Sequence, residues 1–596
     1  MTAAALSLAL VSVGCADAGD PPERVAVVNL VEGTAAAQLA GANDWTTDFA
    51  NRPLTSGDKI WVDGNSRAEL HLGSAAIRLG ANTGLQFLNV GDRVAQLRLS
   101  SGSMNLRLRY LSPDEAVEVD TPNSAISLLQ AGEYRVDVND AGDDVVVVVW
   151  RGQAEVAGQT QSFNLQEQEL GEFHGTDTLG VQFSDLPPPD NLDQWAQYLD
   201  QREDQSLTAN FMSRDMTGYN DLDGYGNWQS DADYGSVWYP PVDASWAPYS
   251  QGCWIWVAPW GWTWIDNAPW GFVPFHYGRW VHVRRGWAWS PGQLTVRPVY
   301  APALVAWGTG PNAGISWVAL GYNELYRPSR PVSSAYLRRV NISNTYINST
   351  VTMNYGTLAS APHYANQSIA GAVLAASHET FTSARPIERE PRASGADPMV
   401  ITAGNALQPT PRSLVRTAGR TAVPVPPRAI FSTPIVARSA PPALSRAPAA
   451  EPRHVIVTTV PVAHTTPRSF EPPRNTAPAR SYPLPAAHSA PIVRETSPPR
   501  ESSPASEAPA VHNAAPAKRI DRPVVMPSAA PERPAPAPPV EHAPVERAPI
   551  LERSAPPAEN SERVRNDRPA EPVKKEAPPP VVPRKSPDKN PQQSAR

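Results

Sequence analysis

Fourteen of the chain's 18 tryptophans lie between Trp228 and Trp317, and they recur in a repeated phrase. Gly252-Cys253-Trp254-Ile255-Trp256 returns 26 residues later as Gly278-Arg279-Trp280-Val281-His282. Gly261-Trp262-Thr263-Trp264 returns 25 residues later as Gly286-Trp287-Ala288-Trp289, with a fainter copy at Gly314-Ile315-Ser316-Trp317. A Trp-x-Trp pair puts both rings on one face of an extended strand, and the glycine ahead of it suits a tight turn. The pattern predicts a run of β-hairpins whose like faces stack Trp against Trp. Such rings have two uses. They can form the core, because a small β module with no disulfide needs large apolar side chains to stay folded. On a solvent face they can stack on sugar rings, and the candidates for that role are Trp254, Trp256, Trp262, Trp264, Trp280, Trp287 and Trp289.

The rest of the chain divides by composition. Residues 25–160 read as short apolar-alternating runs separated by Gly, Asn and Asp, such as Arg67–Leu72, Ala75–Leu79 and the Met104, Leu106, Leu108 series. Period-2 patterning with frequent turn signals means a sandwich, barrel or β-solenoid. Val145–Trp150 is an unbroken apolar run, expected to be a central strand covered on both faces. Residues 161–215 form a connector. Asn191–Met216, with Trp195, Tyr198 and Leu207, is its one expected helix, and the acidic, polar composition predicts a hydrated surface helix. The Trp-rich module occupies 216–350. From 371 to 596 the chain is rich in Pro, Ala, Ser and Arg; most of the 66 prolines fall beyond residue 380, where the only aromatics are Phe381, Phe431, Phe470 and Tyr482. Such a composition buries too little apolar surface to offset ordering entropy, so this arm is expected to be disordered, with stretches of polyproline II.

Charge divides the same way. Residues 381–596 hold 30 Lys+Arg and 19 Asp+Glu, a net +11; the remaining 21 basic and 39 acidic residues leave 1–380 at −18. An acidic body with a basic arm suggests that the arm meets polyanions.

The compartment is expected from the N-terminus. Residues 1–18 read as a signal peptide: an apolar run from Ala3 to Gly14, too short to span a bilayer, then the small-x-small site Ala16-Asp17-Ala18. No Lys or Arg precedes the run, which suggests a start codon further upstream. Cys15, following Val-Gly, is a lipidation candidate, although Ser12 stands where a lipobox prefers an aliphatic residue. Cys253 is then the one sure cysteine of the mature chain, so no intramolecular disulfide is expected. No later apolar stretch approaches 18 residues, so no transmembrane anchor is expected.

The wording of the first β domain is familiar. Asn51-Arg52-Pro53-Leu54 with Gly57-Asp58, Ala68-Glu69-Leu70, Gly102–Leu108, Val117-Glu118-Val119-Asp120-Thr121-Pro122, Gly132-Glu133-Tyr134-Arg135-Val136 and Arg151–Val156 resemble the FecR-type periplasmic domain. The resemblance implies the β fold and a periplasmic setting. In that family the domain relays a receptor's state to an anti-sigma segment. Neither that segment nor a spanning helix is expected here, so the relay is not carried over. The Trp-rich block resembles the DUF6600 domain of exported bacterial proteins. The likeness begins near Gly218–Asp223 and Tyr225–Trp228 and is strongest at Pro269-Trp270-Gly271-Phe272-Val273-Pro274-Phe275-His276-Tyr277-Gly278-Arg279-Trp280. It continues through Val299–Val305 and Trp317–Gly321 to the Asn-rich run at 341–348. What it implies is architecture and compartment, not chemistry.

Candidate reactive groups are few. His276 and His282 flank Arg279, but their spacing fits no common zinc motif and structural histidines are expected. Asp221–Gly226 looks like a calcium loop, yet its twelfth position, Ala232, lacks the bidentate Glu. Cys253 has no evident His–Asn set, and there is no nucleophile elbow, P-loop or dinucleotide fingerprint. The expectation is an all-β, non-enzymatic interaction protein of the cell envelope, periplasmic or extracellular, without metal or cofactor. Its partners would be peptidoglycan or another anionic envelope polymer, or envelope proteins; no nucleic acid is expected. The alternative is a FecR-like signalling accessory that contacts a membrane partner without its own anti-sigma segment. A glycan hydrolase is a third, weaker reading, because pairing of the carboxylates in 180–234 cannot be read from sequence.

Overall fold

A computed structural model describes residues 19–294, 297–309, 314–345, 363–389, 400–402, 407–416, 423–427, 430–442 and 455–461. Residues 1–18, with Cys15 and the expected signal peptide, lie outside the described residues, as does most of the arm. All of the described residues belong to one compact unit.

The first module is a two-sheet β structure, and the alternating sequence of 25–160 is its cause. Its strands are β1 (Ala26–Glu32), β2 (Ala35–Gln38), β3 (Trp45–Thr46), β4 (Lys59–Val62), β5 (Arg67–Leu72), β6 (Ala75–Leu79), β7 (Thr83–Val90) and β8 (Val94–Leu108). They are followed by β9 (Ala116–Asp120), β10 (Ala125–Leu128), β11 (Gly132–Val138), β12 (Asp144–Arg151), β13 (Ala154–Ala157), β14 (Ser162–Leu165), β15 (Glu169–His174) and β16 (Gly180–Ser184). One sheet runs β1-β5-β6-β8-β11-β12-β15-β16, the other β3-β2-β4-β7-β8-β9-β10-β13-β14. β8 belongs to both. Its first half pairs with β7 and, in parallel, with β9; its second half pairs with β6 and β11. The strand changes sheet at Gly102 (φ +88°), where a Cβ would sit 2.6 Å from the Thr83 Cα, so only glycine fits. Between the sheets lies a closed aliphatic core that includes Leu70, Ile77, Leu99, Met104, Val136, Val147 and Val156.

β12 is central, between β11 and β15, as its apolar run predicts. Val145, Val147, Val148 and Val149 are buried, but Val146 and Trp150 are half-exposed, so the second face is covered only in part.

The connector carries α1 (Asn191–Asp204), capped by Asp190 through a reciprocal capping box with Asp193. The helix is shorter than the expected 191–216 and is not simply hydrated. Asp193, Trp195, Ala196, Leu199 and Glu203 are buried on one side, at the i, i+3, i+4 spacing of a packed stripe. Tyr198 and Leu207 stay exposed.

The second module is the expected set of hairpins. Its strands are β17 (Asn227–Asp231), β18 (Gly235–Tyr239), β19 (Gly252–Val257), β20 (Gly261–Asp266), β21 (Arg279–Val283), β22 (Gly286–Ser290), β23 (Val305–Thr309) and β24 (Ile315–Ala319), with the short helix α2 (Val273–His276) between β20 and β21. Trp faces Trp across every hairpin: Trp228 and Trp238, Trp254 and Trp264, Trp256 and Trp262, Trp280 and Trp289, Trp307 and Trp317. The module does not end at 350. After α3 (Ser334–Asn344), β25 (Leu374–Ala376) adds an edge to β24, and α4 (His378–Thr382) delivers Phe381 into the core. Phe381 is fully enclosed, with ring centroids 4.6 Å from Trp262 and 5.4 Å from Trp254. A lone aromatic at the head of a Pro-rich stretch belongs to the module before it. This corrects the expectation that the chain is unstructured from 371.

The N-terminal segment ahead of β1 is held by both modules: Glu23 N donates to Asp92 Oδ1 and Arg24 Nε to Gly91 O in the first, both at 2.6 Å, and further bonds reach the second. Tyr300 N donates to Glu23 O at 2.7 Å, Trp260 Nε1 to Pro22 O at 3.2 Å and Ser333 N to Asp20 Oδ1 at 2.7 Å. Further along, β26 (Val400–Ile401) pairs with β23. Two more segments of the arm, β27 (Ile435–Ala437) and β28 (Val455–Val457), pair in parallel and lie on the first module. Among the described residues no helix is long and apolar enough to cross a membrane.

Candidate functional site

The seven stacking candidates sit almost entirely inside. Trp254, Trp262, Trp264, Trp280, Trp287 and Trp289 are at most 7% exposed, and Trp256 alone is half-buried. The reason is that the Trp faces are covered: Trp254 and Trp264 pack on Trp317 of another hairpin, and Trp280 packs on Trp246 and Phe275. Trp254 is surrounded by Tyr249, Trp264, Trp307, Trp317 and Phe381 at 4.6–6.4 Å. Rings so enclosed present no π-face to a sugar, which corrects the stacking role for six of the seven. They are the core that a module with no disulfide requires.

The other singled-out groups are structural too. His276 is buried, its Nδ1 2.9 Å from Ala301 O, and burial pulls its pKa down to about 4, leaving a neutral ring at neutral pH. His282 lies on the surface with its ring 5.1 Å from Trp287, so the two histidines do not converge. Arg279, fully buried, ties chain segments together: its guanidinium donates to the carbonyls of Gly278, Glu324 and Asn344 and to Asn341 Oδ1 at 2.9–3.3 Å. Asp221 accepts from Asn29 Nδ2 at 2.9 Å and Asp223 caps the backbone of Thr208, so neither forms a calcium loop. Among the described residues no group of three or more His, Cys, Asp or Glu is arranged to hold a metal ion.

Cys253 is enclosed, and burial pushes its thiol up to about 12. A thiol so held is inert. Native protein is therefore expected to resist a maleimide and to take up one equivalent at this residue only after denaturation; rapid native labelling would contradict the packing.

What the sequence did not single out is a charged seam where α1 and the start of the second module meet the first. Arg78 on β6 is 1% exposed and lies 3.0 Å from Glu69, 2.7 Å from Asp200 and 3.9 Å from Glu203. Arg107 on β8 and Arg109 just past its end reach Asp200, Asp204 and Glu203 at 2.7–3.1 Å. Tyr219 donates its hydroxyl to Glu203 at 3.1 Å, and Arg214 donates to Tyr219 at 2.7 Å. Arg135 on β11 clamps Asp190 and Asp193. Burial works to raise Glu203, but His71, Arg109 and Arg78 outweigh it and hold the carboxyl at about 2. Burial lowers His71, while Glu69, Glu203 and Asp221 together raise it by more. Asp221 shows the opposite balance: burial pushes it to about 7, and His71 and Asn29 offset only part. The seam joins the two modules into one body; Asn51 Nδ2, donating to Asp266 O at 3.0 Å and Ala268 O at 2.6 Å, adds a second junction.

Residues 219–324 match DUF6600, a family of unknown function. No curated protein matches. Two crystal structures of a protein from Parabacteroides distasonis ATCC 8503, described as a putative anti-sigma factor, are similar at 14% and 13% identity. Each match covers 24% of this chain, with a TM-score of 0.20. The chain spans 63% and 64% of the length of those structures.

Proposed function

We propose that the chain is a non-enzymatic interaction protein of the cell envelope whose partners are protein segments. One observation carries the reading. Buried ion pairs lock α1 onto the first module, hydrogen bonds from Asn51 and Tyr219 join the second, and this body already holds an extended piece of polypeptide carrying Arg438 on its surface, namely the chain's own arm. Enclosure of the Trp rings argues against a sugar-stacking platform and moves the choice from wall polymer toward protein. Export rests on the apolar N-terminal run and on the resemblance to FecR-type and DUF6600 proteins. The signalling reading differs only in the partner, which would then be a membrane receptor.

The test is in-cell photo-crosslinking of the full chain from Tyr110 and Tyr198, both exposed, followed by fractionation. Protease-sensitive adducts in the envelope fraction are expected. Adducts that dissolve with lysozyme instead would turn the reading to wall polymer, and recovery of the chain solely in the cytosol would overturn it.

A further inference from the structure

The outer face of the sheet containing β9 is acidic and is not left to solvent. Glu118, Asp120 and Glu155 are 7%, 0% and 3% exposed, with Gln96 and Arg98 buried beside them. Burial, then the neighbouring Glu118, push the Asp120 carboxyl well above its usual range. What covers them is the arm. Arg438 forms an ion pair with Glu155, and its backbone N–H donates to Glu118 Oε1 at 2.7 Å. Val436 N donates to Thr121 O at 3.0 Å. Gln96 Nε2 donates to Ser439 O at 2.9 Å, and Arg98 Nη2 to Thr433 O at 2.7 Å and Ile430 O at 3.3 Å. At one end, Phe431 packs against Trp45 (5.8 Å) and beneath Lys59 (5.2 Å), over Gly84, where a Cβ would meet the Phe431 ring at 3.3 Å. At the other, Thr458 closes the strap by donating to Gly158 O at 2.8 Å.

Two properties of this contact matter. The body bonds largely to the backbone of the strap, which any extended segment offers; the Phe431 seat and the carboxylates around Arg438 read side chains most distinctly, beside the buried Ile435–Ala437 and the Thr458 hydroxyl. The strap also sits within a long Pro- and Ala-rich stretch, so it is a tethered ligand rather than an element of either module.

We propose that this face is a receptor site for an extended peptide with an aromatic anchor followed by an arginine, and that residues 430–442 and 455–461 occupy it in cis and hold it closed. The proposal rests on the reading of the chain as a protein-interaction body, but it names the site and its ligand chemistry. A partner segment of that chemistry gains access only by displacing the strap, so the arm sets the threshold for binding.

The experiment uses the purified full chain and a fluorescent peptide of residues 430–461. Wild type is expected to bind the peptide weakly, because the tethered copy competes. Arg438→Glu and, separately, Phe431→Ala should each bind it on the order of tenfold more tightly. Adding Glu155→Arg to the Arg438→Glu chain should abolish that gain, and a peptide carrying Arg438→Glu should restore part of it. Hydrogen exchange at Ile435–Ala437 should quicken in both strap variants. The proposal is overturned if neither variant binds the peptide better than wild type, or if Glu155→Arg leaves binding unchanged. Because these measurements use purified protein, the envelope reading can fail in cells while the site stands, and the reverse.

Discussion

Replacing Trp254 by alanine is expected to destabilise the second module by about 3–5 kcal/mol, the range for removing a fully buried Trp side chain. Five aromatic rings lose a partner at once, and none of them has an exposed route along which to collapse into the gap. Against a typical total of about 5–15 kcal/mol, that loss leaves a marginal protein. Urea unfolding followed by fluorescence should show a lower midpoint with an unchanged slope. Trp256→Ala is the control: the ring is half-buried, so its loss should cost clearly less. If Trp256→Ala proves as damaging as Trp254→Ala, the assignment of these rings to inside and rim is wrong.

The second large effect is expected at the charged seam. Arg78→Met takes from Glu69, Asp200 and Glu203 the one cation they share, leaving His71, Arg107 and Arg109 to balance them only in part, and removing one partner of a buried ion pair costs about 3–5 kcal/mol. Adding Glu69→Leu should return part of that loss, which a double-mutant cycle measures; strict additivity would contradict the coupling. The seam also shapes stability against pH. Glu203, depressed to about 2 from 4.5, contributes stability that is complete above about 4.5 and is lost as pH falls toward 2. Asp221, raised from 3.8 to about 7, works in the other direction: its contribution is complete below about 3.8 and is lost as pH rises toward 7. His71, raised above 6.5, likewise gives stability below that value that fades as pH climbs through its folded pKa. Asp221→Asn should therefore flatten the decline between about pH 4 and 7. Buried Asp266, also at about 7, keeps its own share of the slope.

Both predictions concern features of unequal legibility. The hairpins could be read directly, because Gly-Trp-x-Trp states turn, strand and face within four residues, and local rules of that kind survive folding. The two sheets of the first module were legible as alternation, though not as a sandwich sharing β8; that depends on a bend at Gly102 whose cause is Thr83, a neighbour only in space. The face of α1 was misread for the same reason. Asp193, Asp200 and Glu203 look like a solvated stripe until Arg78, Arg107, Arg109 and Arg135 arrive from positions 58 or more residues earlier. The fate of the tryptophans could not be decided from one strand at a time, since a Trp face is core or surface according to what packs on it. Composition likewise concealed Phe381, Phe431 and Arg438, because a few anchors in a Pro-rich arm barely change its average.

The attachment of Asp20, Pro22 and Glu23 to Ser333, Trp260 and Tyr300 has a kinetic meaning. These contacts join positions up to 313 residues apart, so the earliest part of the described chain is among the last to be secured. A chain made from its N-terminus can tie Glu23 and Arg24 to Asp92 and Gly91 of the first module early, while Asp20 and Pro22 stay loose until the residues around 260 and 333 have emerged. Closure of that segment is then a late event that reports completion of both modules, and its protection from proteolysis should lag behind that of β1 to β16 during refolding.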